Sequence, residues 1–140
     1  MDDREAVYSE AGMAEKRVGY GERPAIVVVD LQYGETDEEY PMGSDLSTVI
    51  EETNRLVDVA HERDVPVFWT RVIYRHPDAA DAGNWTEKVP LIAEWKPGTR
   101  WVEIDDRCHV AEDDHVLDKR HASSFHGTEL DSMLTSMDRD

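Results

Sequence analysis

Two charged residues end apolar runs in this chain. Asp30 follows Pro24-Ala25-Ile26-Val27-Val28-Val29, and Lys119 closes His115-Val116-Leu117-Asp118. If both runs are strands of one parallel sheet, the two charges meet at the carboxyl edge, where open α/β sheets bind ligands. A carboxylate there can shuttle protons and an ammonium favours a neighbouring thiolate, which together suit acyl transfer. A plainer reading stands beside it: Asp30 as a turn cap and Lys119 as a solvated edge residue. Cys108, the single cysteine, lies in Arg107-Cys108-His109. Its basic neighbours invite a nucleophile reading, but the segment reads as loop, and a semi-buried inert thiol competes with that reading. The histidines are His61, His76, His109, His115, His121 and His126, and none forms a His-x-x-x-His or His-Glu-x-x-His pair. No Gly-x-Gly-x-x-Gly or Walker loop follows a strand, so neither a metal nor a nucleotide cofactor is expected.

The elements that must position these residues follow a βαβ rhythm. Three adjacent valines suit a strand, and the unbroken apolar run 25–29 predicts cover on both faces, as in a parallel sheet between helix layers. An acidic loop, Tyr33 to Gly43, follows. Ser44 is then expected to cap an amphipathic helix whose apolar stripe is Leu46, Val49, Ile50, Thr53, Leu56, Val57 and Ala60, ended by Asp64. Val65-Pro66-Val67-Phe68-Trp69-Thr70-Arg71 reads as the second strand. The stretch from Ile73 to Asp114 holds Trp85, Trp95 and Trp101 among prolines and glycines, with a short helix expected over Lys88 to Trp95. It reads either as a lid packed by its own side chains or as a wall with a tryptophan in a pocket. His115 to Arg120 reads as the third strand. Thr128 is expected to cap a last helix with the stripe Leu130, Met133, Leu134 and Met137. Residues 1–22 read as an arm, and 23–140 as one domain.

Charge and cysteine usage narrow the setting. The 140 residues carry 15 Lys and Arg against 32 Asp and Glu, a formal charge of −17. Nucleic acid and anionic membranes are poor partners for such a surface. Excess acid marks either disorder or a folded surface adapted to high salt; the patterned apolar segments favour the second. The melting temperature should therefore rise steeply in molar KCl as self-repulsion is screened, and a midpoint indifferent to salt would remove that reading. One cysteine and no apolar leader at the N-terminus fit a cytoplasmic protein.

Taken in order, Arg23 to Gln32, the Val65-Pro66-Val67 strand, and Lys119 followed by Ser123, Phe125, Gly127-Thr128 and Leu130 resemble the isochorismatase-like cysteine hydrolases. Asp81-Ala82-Gly83-Asn84-Trp85 and Gly98-Thr99-Arg100-Trp101 resemble the N-carbamoylsarcosine amidohydrolase branch of that family. The resemblance implies a three-layer α/β/α fold with a parallel, Rossmann-like sheet. It implies an Asp–Lys–Cys triad acting on a small N-carbamoyl or amide substrate, with Asp30 and Lys119 as two of its members. Gln32, Trp85 and Phe125, which lie within these motifs, are the candidate substrate-binding residues, and a homo-oligomer is expected because a sheet without its later strands exposes an edge and apolar helix faces. The family cysteine opens the helix after a fourth strand. Cys108 does not match that position, so the chain resembles the front part of such an enzyme, with a sheet expected to be incomplete on its C-terminal side. A non-catalytic binding or assembly module on the same scaffold, and isochorismatase-type hydrolysis, are the alternatives. Glu35 stands where the branch has an aromatic residue. The Asp-x-His metal pattern of related nicotinamidases is missing from Arg71-Val72-Ile73-Tyr74-Arg75-His76.

Overall fold

The computed structural model describes residues 7, 10–12, 19 and 21–140; Tyr8, Met13, Val18 and Tyr20 of the expected arm lie outside the described residues. Three strands, β1 (Ile26–Val29), β2 (Val67–Val72) and β3 (His115–Lys119), form a parallel sheet in the order β1-β2-β3. Val29 pairs with Thr70, and Thr70 with Leu117, so Asp30 and Lys119 leave the sheet at the same end.

Helices cover the two faces. The long helix between β1 and β2, here α2 (Ser47–Glu62), buries Ile50, Val57 and Ala60 against Val28, Val67 and Trp69. The C-terminal helix α4 (Leu130–Ser136) sets Leu130 against Phe68 and Leu117 on the opposite face. Successive residues Val67, Phe68 and Trp69 thus serve opposite helix layers, as the two-residue period of a strand requires. Two very short helices, α1 (Tyr33–Thr36) and α3 (Trp85–Lys88), sit in the connections. Among the described residues no helix is long and apolar enough to cross a membrane.

Several local expectations are corrected. The long helix starts at Ser47 rather than after Ser44. Asp45 Oδ1 accepts from Ser47 N at 3.0 Å, whereas Ser44 N is tied to Glu35 O. Asp45 takes up a free amide of the first turn, the task expected of Ser44. Val49 and Leu56 do not face the core; they are 48% and 57% exposed, and the buried stripe is Ile50, Asn54, Val57 and Ala60. Val29 is 53% exposed, so β1 is not covered on both faces among the described residues. The expected helix over 88–95 divides into α3 and a 3-10 turn, Pro90–Glu94, because Pro90 supplies no N–H to continue α3. Two expectations are met in detail: Asp64 ends α2 in the left-handed region, and Thr128 Oγ1 accepts from Leu130 N at the start of α4.

The segment from Ile73 to Asp114 folds back over the carboxyl edge of the sheet. Gln32 forms an antiparallel bridge with Ile104, Asp105 N donates to Leu31 O, and Tyr33 N donates to Glu103 O. Its interior is a separate apolar cluster of Val72, Ile73, Tyr74, Ile92, Trp95 and Val102. The acidic loop beside it turns tightly at Gly43, where an added Cβ would lie 1.8 Å from Asp37 O. Backbone cannot yield by that much, so Gly43→Ala should lower the unfolding free energy by about 2 kcal/mol or more in urea titration. An unchanged midpoint would show that the loop relaxes freely.

Candidate active site

The end of β1 aims Asp30 into a hollow. Asp30 has φ 60°, a left-handed backbone that aspartate tolerates better than branched residues do. Its amide still bonds Thr70 O, so the turn begins only after the last ladder bond. Lys119 is two strands away, about 10 Å across the sheet, and its long side chain spans β2 to reach the carboxylate. Lys119 Nζ lies 2.9 Å from Asp30 Oδ2, and the lysine is only 2% exposed. Its other two donors go to His121 O and Ala122 O, each at 3.2 Å. Thr70 Oγ1 donates to Asp30 Oδ1 at 3.3 Å. The ammonium therefore has all three N–H groups engaged, which offsets the cost of removing it from water.

A cavity of about 220 Å³ opens on this pair, lined by Asp30, Glu35, Met42, Val72, Tyr74, Trp85, Val89, Ile92, Trp95, Lys119, His121 and Ala122. The excursion supplies the apolar and aromatic wall, and α1 supplies Glu35. Both readings of the tryptophans therefore hold in part. Trp95 and Trp101 belong to the lid's own packing, with Trp101 edge-on to Tyr40 at 4.6 Å, while Trp85 and Trp95 also line the cavity. Trp95 Nε1 is buried without an acceptor among the described residues.

The structure brings Asp30, Lys119 and Trp85 together and sets Gln32 and Phe125 apart from them. Gln32 is fully buried behind the wall; its Oε1 accepts from Val72 N at 2.6 Å, and its Nε2 reaches Val72 O and Trp101 O. Those bonds tie the end of β2 to the excursion. Phe125 is 60% exposed and does not line the cavity. Cys108 packs with Val28, Ile50 and Trp69 beneath α2, not on the cavity; burial and then Asp105 push its thiol up to about 12, against the pull of Arg107. It is protonated at neutral pH and a poor nucleophile.

Sequence reasoning missed the clamp behind the site. Arg107 Nε and Nη2 grip the two oxygens of Asp105 at 2.9 and 2.7 Å, and Thr36 Oγ1 donates to Asp105 Oδ2 at 2.6 Å. Arg107 also reaches Ser47 Oγ and Thr36 O, joining α1, α2 and the returning loop. Burial alone would raise the Asp105 carboxyl, but the Arg107 and Thr36 bonds outweigh it and lower the pKa to about 2. An Asp-x-Arg triplet in a loop has no periodic signal that would have marked it.

Comparison with known proteins is consistent with this geometry. The isochorismatase domain model matches residues 24–140. The chain is 37% identical over 137 residues to an N-carbamoylsarcosine amidase of Arthrobacter sp, covering 94% of this chain and 51% of that protein. It is 27% identical over 124 residues to a maleamate amidohydrolase of Pseudomonas putida, covering 88% and 58% respectively. Among solved structures, a cysteine hydrolase from Pseudomonas syringae pv. phaseolicola superposes with a TM-score of 0.79 at 27% identity, over 84% of this chain and 56% of that one. The chain thus spans a little over half the length of the relatives it matches.

Proposed function

Since the chain belongs to the isochorismatase family, we propose that it supplies the acid/base half of a cysteine amidohydrolase acting on a small N-carbamoyl or amide substrate. The observation that carries this reading is the Lys119–Asp30 contact, 2.9 Å long, on the floor of a cavity with aromatic walls. The domain is residues 23–140, preceded by an arm over 1–22. The thiol comes from polypeptide other than these 140 residues, since Cys108 is buried away from the cavity.

In this mechanism Asp30 accepts the thiol proton as sulfur adds to the amide or carbamoyl carbon, and Lys119 steadies the negative charge beside it. The C–N bond breaks as that proton passes to the departing nitrogen. Water then adds to the acyl-sulfur intermediate, Asp30 takes one of its protons, and the C–S bond breaks to return the thiol. No redox partner or metal is needed for this balance. The substrate class is supported by the relatives' names and by the size of the cavity.

The test uses the complete polypeptide that carries these residues together with a reactive cysteine. It should release ammonia from N-carbamoyl or primary-amide compounds, and isochorismate-type vinyl ethers should remain intact. Ether cleavage without amide turnover would refute the proposal.

One observation favours a second reading, an assembly module. Val28 faces the core while the alternating amides of Val27 and Val29 point away from β2, and Leu56 and Val59 are exposed beside them. Such an edge favours association. Sedimentation of the purified chain as a monomer in dilute solution would count against it.

A further inference from the structure

The cavity carries more acid than the proposed chemistry uses. Glu35 extends from α1 into the same hollow as Asp30, is half-buried, and has no hydrogen-bond or ion-pair partner for its carboxylate among the described residues. Lys119, the only lysine on the wall among the described residues, already has its three donors on Asp30, His121 O and Ala122 O. Arg100 is stacked on the Tyr33 ring at 3.8 Å and does not line the cavity. His121, the remaining basic group on the wall, packs edge-on against His126 at 4.5 Å. Among the described residues, an anionic substrate would thus meet two carboxylates and no uncommitted lysine or arginine on this wall.

We infer that Glu35 is a specificity-determining residue that receives the positively charged end of the substrate, so that the preferred compound is a small amide bearing an ammonium or similar cation.

This rests on the amidohydrolase reading above and deepens it. N-carbamoylsarcosine and maleamate, which name the two relatives, are carboxylates at neutral pH; the wall built here has the opposite preference. Three features favour a cation. An unpaired carboxylate in a partly dry site attracts a positive charge more strongly than it would in water. Trp95 offers aromatic surface of the kind that binds alkylammonium groups, and the Trp85 ring already holds one cation, Lys88 Nζ, 5.5 Å from its centre. Burial and then the Asp30 charge raise the Glu35 carboxyl's pKa, with Lys119 opposing, and a bound cation would relieve that repulsion. The indole N–H of Trp95, buried without an acceptor, leaves a donor on the wall for a polar group of the same ligand.

Binding to the complete polypeptide that carries these residues, with its reactive cysteine replaced by serine, tests this without turnover, read through tryptophan fluorescence and ligand NMR line broadening. Betaine amide and 3,3-dimethylbutanamide have the same shape and differ by the charge on one atom; succinamate supplies the anion. The titrations are run in 1 M KCl so that the general −17 field of the chain is screened. Betaine amide should bind at least about tenfold more tightly than its neutral isostere, which corresponds to about 1.4 kcal/mol. Glu35→Gln should bring that ratio to about one, and Glu35→Lys should turn the preference toward succinamate. Equal binding of the two isosteres, tighter binding of succinamate, or an unchanged ratio in Glu35→Gln overturns the role of Glu35 and leaves the amide site standing. If none of the three amides binds, the amidohydrolase reading falls and this inference with it.

Discussion

Asp30→Asn in the complete polypeptide is expected to lower kcat/KM for amide hydrolysis by about 10³-fold, the usual scale of a lost general acid/base. That corresponds to about 4 kcal/mol of transition-state stabilisation. Stability should fall as well, by about 2 kcal/mol, because the almost fully buried Lys119 ammonium loses its counter-ion. Asparagine tolerates the left-handed backbone that Asp30 adopts, so the turn after β1 is not strained, and Lys119 keeps its two carbonyl acceptors. Lys119→Met should likewise harm both properties. It leaves a carboxylate without its cation in a site where the lysine is almost fully buried. Breaking a buried pair from one side costs about 3–5 kcal/mol in general. Asp30 is 25% exposed and retains Thr70, so a loss of about 2 kcal/mol is expected here. Paired measurements of ammonia release and urea unfolding check both variants. More than a tenth of wild-type activity in Asp30→Asn would end the proton-shuttle assignment.

The second large effect lies behind the site. Arg107→Met removes the fork that holds Asp105 and the ties to Thr36 and Ser47, and should lower the unfolding free energy at pH 7 by about 2–3 kcal/mol. The pH dependence follows from the sign of the Asp105 shift. Its folded pKa, about 2, lies below the ordinary carboxylate value of 3.8. The folded state therefore gains stability from this group above about pH 4 and loses it as pH falls toward 2, by about 2 kcal/mol in all. Wild type and Arg107→Met should accordingly converge between pH 4 and pH 2 in urea titrations. A gap of constant size over that range would show that Arg107 acts by packing rather than through the Asp105 charge.

The residues proposed to carry the chemistry were the more legible ones. Asp30 and Lys119 could be placed because each ends an apolar run, and a parallel sheet brings equivalent strand ends to one edge. The helix over Ser47–Glu62 followed from its three- and four-residue steps, but the count of apolar positions exceeds what one sheet face can bury, and Val49 and Leu56 were assigned to the wrong side. The excursion resisted reading because its order comes from distant backbone contacts, such as Asp105 N to Leu31 O and Tyr74 N to Trp95 O. Pattern within a window carries no trace of those pairings. Gln32 shows the same limit. A polar residue two positions after Asp30 invites a substrate contact, yet its side chain is engaged by the backbone of Val72 and Trp101.

The state of Cys108 has a practical consequence. With its thiol pushed up to about 12, only about one molecule in 10⁴ carries a sulfur anion at pH 8. Alkylating reagents such as iodoacetamide will therefore find this chain silent under neutral, native conditions. Any sulfur that such a reagent captures quickly in a longer polypeptide belongs to another cysteine, and the labelling stoichiometry counts working centres directly, with no background to subtract.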